Sequence, residues 1–197
     1  MSYLEGGALT RYAGRLTENQ LHNVATELAR TLANLHAAFE VDGDFKPDNV
    51  LIARNGQLQV GDPLGNGTLF TILFGKNRGG TPGYWAPEIR RGAVISRAGD
   101  SYSYGATLYH LLTGRRPVDG QRLDPASEGY GNAPIGEIIA ACCQLEPSAR
   151  PTIQEVLRML AGEKWVDVQT QRRRSQELVG AACFIGALVL LGAALSS

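Results

Sequence analysis

Asp44, Lys46, Asn49 and Asp62 are the residues of this chain whose types and spacing could do chemistry. A carboxylate is followed two positions on by an ammonium, then by an amide, and thirteen residues past the amide by a second carboxylate. A carboxylate can take a proton from a hydroxyl, and amide and carboxylate oxygens are the ligands a hard cation such as Mg2+ prefers. The run D-F-K-P-D-N with that later aspartate has the spacing of a phosphoryl-transfer signature. Alone, Asp44 would read as a solvated turn residue; its company changes the reading.

These groups need elements to hold them. Thr17 with Gln20 resembles a capping box, and Leu21, Val24, Ala25, Leu28, Leu32 and Leu35 recur at helical spacing, which predicts an amphipathic helix over residues 18–38 ending at the candidate loop. Val50 to Ile52 and Leu58 to Val60 flank Asn55-Gly56, a two-residue hairpin turn, so Asp44 and Asp62 are expected at the two ends of one small hairpin. Further helices are expected over 100–113, stopped by Gly114, over 135–145, and over 152–161 with Pro151 at its first turn. Residues 115–133, with Gly, Pro and Asp, read as a loop. The expected class is mainly α.

Composition bounds the partners. Formal charge is zero over 197 residues, so nothing favours nucleic acid through counterion release. Three cysteines, two of them adjacent at Cys142 and Cys143, give neither a metal spacing nor a disulfide framework. Leu178 to Leu195 carries no charge, is rich in Leu, Val, Ile, Ala and Gly, and follows Arg172, Arg173 and Arg174. That pattern predicts a single transmembrane helix with its basic flank in the cytoplasm. The expected organisation is a catalytic-type domain over 1–162, a basic juxtamembrane linker over 163–177 and a membrane helix over 178–195.

With G-T-P-G-Y-W-A-P-E at 80–88, D-S-Y-S-Y-G at 100–105, L-L-T-G-R-R-P at 111–117 and E-P-S-A-R-P at 146–151 in register behind D-F-K-P-D-N, the chain resembles the serine/threonine protein kinases. The resemblance implies the helical large lobe of that fold, ATP and Mg2+ as cofactors and a protein substrate. It makes Asp44 the residue that accepts the substrate hydroxyl proton and Lys46 the neutraliser of charge on the transferring phosphoryl group. Asn49 and Asp62 become the Mg2+ ligands. Ser2 and Tyr3 match the hinge that reads the adenine edge, and Leu9 and Leu51 match apolar residues against the adenine ring. Thr81, matching a threonine bonded to the catalytic aspartate, and Asp48 fall in substrate docking. Glu88 and Arg150 match a buried ion pair, and Asp100 a residue bonded to the catalytic-loop backbone; these three are structural. His36 and His110 read as core or surface residues.

Several positions depart from the pattern. The usual H-R-D reads Asp42, Gly43, Asp44, and D-F-G reads Asp62, Pro63, Leu64. The chain opens on the hinge-like M-S-Y-L-E-G-G-A-L, without the glycine-rich loop and strand lysine of a small lobe. The expectation is a truncated form with weak or no activity, its small lobe supplied by upstream sequence or another chain. The competing reading is a membrane-tethered, pseudokinase-like binding platform that transfers no phosphate.

Overall fold

A computed structural model of the chain describes residues 6–53, 57–60, 81–131 and 133–165. Contacts divide the chain into a unit from Met1 to Trp165 and another from Val166 to Ser197, and the described residues all belong to the first. Its order is β1 (Gly7–Ala8), α1 (Glu18–Ala37), β2 (Val50–Ile52), β3 (Leu58–Val60), α2 (Pro87–Arg90), α3 (Arg97–Thr113), α4 (Pro134–Cys142) and α5 (Ile153–Leu160). Helix dominates, as expected.

The capping box at α1 is present in full. Gln20 N–H donates to Thr17 Oγ1 at 3.3 Å and Thr17 N–H donates to Gln20 Oε1 at 2.9 Å, satisfying two donors the first turn would otherwise leave open. The stripe Leu21, Val24, Ala25, Leu28 and Leu32 is buried against α3 and α5. α3 differs in kind, being buried on all sides from Gly99 to Leu111, so it shows no apolar stripe to read. It starts at Arg97, three residues earlier than expected, because Ser96 Oγ accepts the Gly99 N–H at 3.1 Å and caps it there. Gly114 ends it in the left-handed conformation at φ 74°, as its sequence position predicts.

Smaller differences have equally local causes. α4 stops at Cys142 rather than running to residue 145. Pro151 lies outside α5, one residue before its N-cap, because Thr152 forms a second capping box with Glu155. Ala126–Glu128 forms a short 3-10 turn inside the expected loop. The hairpin pairs Val50 with Val60, Leu51 with Gln59 and Ile52 with Leu58, and β1 adds a third antiparallel strand on the far side of β2 through Gly7–Ile52 and Ala8–Leu51. Two residues with a glycine give no period-2 signal, so β1 escapes sequence reading.

The expected turn at Asn55-Gly56, Asp62 with its Pro63 and Leu64, hinge residues Ser2 and Tyr3, and the span from 178 to 195 all lie outside the described residues. Among the described residues no helix is long and apolar enough to cross a membrane.

Candidate active site

The site is built on one stretch of backbone between α1 and β2. Its first part is tied to the beginning of α3. Asp100, almost fully buried, accepts the Asp42 N–H on Oδ2 and the Gly43 N–H on Oδ1, both at 2.8 Å, and His36 Nε2 of α1 lies 2.9 Å from Oδ2. One carboxylate thus joins the end of α1, the loop and α3.

Beyond Gly43 the chain alternates. Phe45 turns inward, 1% exposed, with its ring 6.3 Å from that of Tyr104 on α3, while Lys46 is in extended conformation at φ −161°, ψ 160°. In extended backbone, neighbours on either side of an inward residue share the opposite face, which brings Asp44 and Lys46 together. Lys46 Nζ donates to Asp44 Oδ2 at 2.7 Å and Oδ1 at 3.0 Å, and also to Thr81 Oγ1 at 2.9 Å. The 3-10 turn Pro47–Asn49 then folds Asn49 back, and its Nδ2 donates to the Asp44 carbonyl at 2.9 Å and to Asp44 Oδ2 at 3.0 Å. Asp44 is held from two sides, by Lys46 and by Asn49.

A second frame lies beyond Thr81. Glu88 on α2 meets Arg150 in a two-pronged pair at 2.6 and 2.8 Å. The Arg150 guanidinium also donates to the Ala98, Gln144 and Leu145 carbonyls, and its plane lies over the Tyr102 ring at 5.2 Å. Burial is the largest single influence on Glu88 and opposes its ionisation, yet the Arg150 hydrogen bonds, a backbone hydrogen bond and the charges of Arg150 and Arg91 together outweigh it and hold the carboxyl below its usual range.

Residues 1–160 match the family model described as protein kinase domain. The chain belongs to the protein kinases. It is 32% identical over 188 residues to a mitogen-activated protein kinase kinase kinase of Drosophila melanogaster, covering 81% of this chain and 16% of that relative. It is 34% identical over 127 residues to the serine/threonine-protein kinase PrkC of Bacillus subtilis (strain 168), covering 61% of this chain and 19% of the relative. It is 28% identical over 187 residues to the probable serine/threonine-protein kinase PkwA of Thermomonospora curvata, covering 83% and 24%. The chain spans a quarter or less of the length of each of these three relatives.

Within this kinase domain the Thr81 hydroxyl meets Lys46, so Lys46 stands between Thr81 and Asp44, in place of the direct bond to Asp44 that the resemblance implies. Leu9 is fully buried in the core and offers no surface to a nucleotide, whereas Leu51 is half exposed; of the two leucines assigned to adenine, Leu51 alone presents a face. Asn49 suits its assigned Mg2+: both bonds to Asp44 come from Nδ2, which turns Oδ1, the hard donor, to the other side. Its partner ligand, Asp62, is outside the described residues.

One residue went unread in the sequence. Arg116 donates to Asp48 Oδ1 at 2.8 Å, so the docking aspartate is bridged by a cation from the loop after α3. The other oxygen, Oδ2, is buried with no partner among the described residues. Gly83 explains how the two loops approach: at φ +98° a Cβ would run into the Pro117 carbonyl, so the docking loop lies against the R-R-P turn only with glycine there. His36, expected in a core or surface role, has a structural one whose partner is visible only once α1 and α3 are packed. His110 keeps the bland role expected of it: burial lowers its pKa, and it bonds Tyr84 Oη through Nδ1 at 2.7 Å in the core below the docking loop.

Asp42 takes the place of the histidine in H-R-D and is 4% exposed. Its pKa is pushed up to about 7, first by burial, then by the charge of Asp100, with Asp44 adding to the effect and the Asp44 N–H and His36 opposing it.

Proposed function

We propose that this chain carries the large lobe of a protein serine/threonine kinase that transfers the γ-phosphoryl group of ATP to a hydroxyl of a protein substrate. The observation that carries the reading is Lys46 Nζ bonded at once to Asp44 and Thr81, with Asn49 closing the other side of Asp44.

The chemistry follows from that arrangement. The substrate hydroxyl approaches Asp44, which takes its proton as the oxygen attacks phosphorus and ADP leaves. Asn49 and Lys46 fix the carboxylate in one rotamer, so the attacking oxygen is aimed before reaction. Lys46, its ammonium 2.7 Å from Asp44 Oδ2, would neutralise charge on the transferring group. Mg2+ would be held by Asn49 Oδ1 with Asp62 and would screen the phosphate charge. Lysine two residues after the base favours Ser/Thr acceptors over Tyr.

The reading includes a small lobe, from upstream sequence or another chain, to close over ATP; the chain as given would transfer weakly or not at all without it. It also includes membrane attachment through residues 178–195, on the grounds of that apolar run and the three arginines before it, with the kinase domain on the cytoplasmic side. Partition of the chain into carbonate-washed membranes, lost on deleting 178–197, tests that part.

Mg2+-dependent ATP binding and transfer of labelled phosphate to a generic Ser/Thr protein, alongside Asp44→Asn, tests the catalytic part. Transfer that vanishes in Asp44→Asn supports it. A folded chain that gives no transfer even with a small lobe added overturns it in favour of a docking platform.

A further inference from the structure

Three carboxyl groups converge beneath the catalytic loop, and they are served unequally. Asp100 has His36 Nε2 and two backbone N–H groups. Asp44 has Lys46 Nζ and Asn49 Nδ2. Asp42, buried between them, has the Asp44 N–H on its Oδ1 at 3.0 Å and, among the described residues, no cation of its own. His36 of α1 is engaged on Asp100 of α3, and Lys46 of the loop on Asp44 and Thr81.

We propose that Asp42 is a positioning residue for phosphoryl transfer, its Oδ1 accepting the Asp44 N–H and holding the backbone from which the Asp44 carboxylate projects. The Asp42 N–H is itself bound by Asp100, so a continuous chain of hydrogen bonds runs from the first turn of α3 through Asp42 to the base. The carboxylate form of Asp42 accepts the Asp44 N–H more strongly than the neutral acid does, so that bond opposes the rise in the Asp42 pKa that burial and the charges of Asp100 and Asp44 drive. Ionisation through about pH 7 therefore tightens the link to the Asp44 backbone and sets a negative charge beside the Asp44 carboxylate. The catalytic half of this inference rests on the kinase reading above.

The full chain, Asp42→Asn and Asp42→Ala separate the possibilities. Asn keeps an acceptor oxygen and cannot ionise; Ala removes the acceptor. In the parent chain the Asp44 amide resonance is expected to move with one midpoint near pH 7 between pH 5.5 and 8.5, and kcat to change with that same midpoint. Asp42→Asn should abolish that movement and flatten the kcat profile. Asp42→Ala should shift the Asp44 amide at every pH and lower kcat more than it changes KM for ATP; if it does not fold, the Asn variant carries the test. An Asp44 amide that ignores pH in the parent, or titrates equally in Asp42→Asn, overturns the proposal. An amide that behaves as expected in chains that transfer no phosphate even with a small lobe added overturns the kinase reading instead and leaves the Asp42–Asp44 link standing.

Discussion

Two carboxylate–cation pairs flank the docking loop, Asp44–Lys46 before it and Glu88–Arg150 after it, and they are built to opposite ends. The Arg150 side chain has no exposed surface, and its N–H groups are shared between Glu88 and three carbonyls. Nothing is left for a ligand. Lys46 and Asp44 retain 12% and 18% exposure, and their further partners are the Thr81 hydroxyl and the Asn49 amide. The same charges make a fastener where the cation's donors end on backbone; where they end on exchangeable side chains, the pair is left able to serve the proposed chemistry.

Equivalent substitutions at the two pairs should therefore separate activity from stability. The largest effect is expected at Asp44: Asp44→Asn preserves shape and removes the base, and transfer should fall by about 10²–10⁴-fold with little change in unfolding midpoint. Steady-state phosphate transfer and a thermal melt on the same sample check both halves. Arg150→Met should do the reverse. It strands Glu88 and three carbonyls, at a cost of about 3–5 kcal/mol, seen as a lower urea midpoint at unchanged slope. A mild effect there would show that the pair is no fastener. Lys46→Met is the sharper counterpart: it strands fewer buried acceptors than Arg150→Met, so its stability cost should be the smaller of the two, while the loss in kcat should approach that of Asp44→Asn.

The contrast also marks what could be read in the sequence. Glu88, Arg150 and Asp100 were legible because each stands in a motif whose spacing is fixed by the fold, and α1, α5 and the hairpin were legible because they bury one face. α3 carries the site's anchor yet was misplaced at its start, since a helix buried all round has no periodicity and its cap, Ser96, lies outside the motif. Arg116, and the partner of His36, were missed for a different reason. His36 lies 64 residues from Asp100 and Arg116 lies 68 from Asp48, and no local pattern records such separations. Asp42 stood out in the sequence as a departure, but its linkage to Asp44 required the geometry.

Arg116 gives the smallest effect and the finest test of the comparison, because its pair with Asp48 is the most open of the three, at 55% and 31% exposure. Asp48 holds the Arg116 guanidinium through a short hydrogen bond, but water screens the pair, so Arg116→Ala should change stability by less than about 1 kcal/mol. Its consequence should instead appear at the substrate. With Arg116 present the strip beside Lys46 is neutral; without it the Asp48 carboxylate is uncompensated and should draw a cationic side chain on the incoming peptide. Peptides bearing Arg or Lys near the acceptor should then show a KM lowered severalfold relative to neutral ones, at unchanged kcat, and raising the salt concentration should erase the difference. If KM is indifferent to peptide charge, the Asp48–Arg116 pair belongs with Glu88–Arg150 as a fastener between loops, and exposure alone does not mark a working pair.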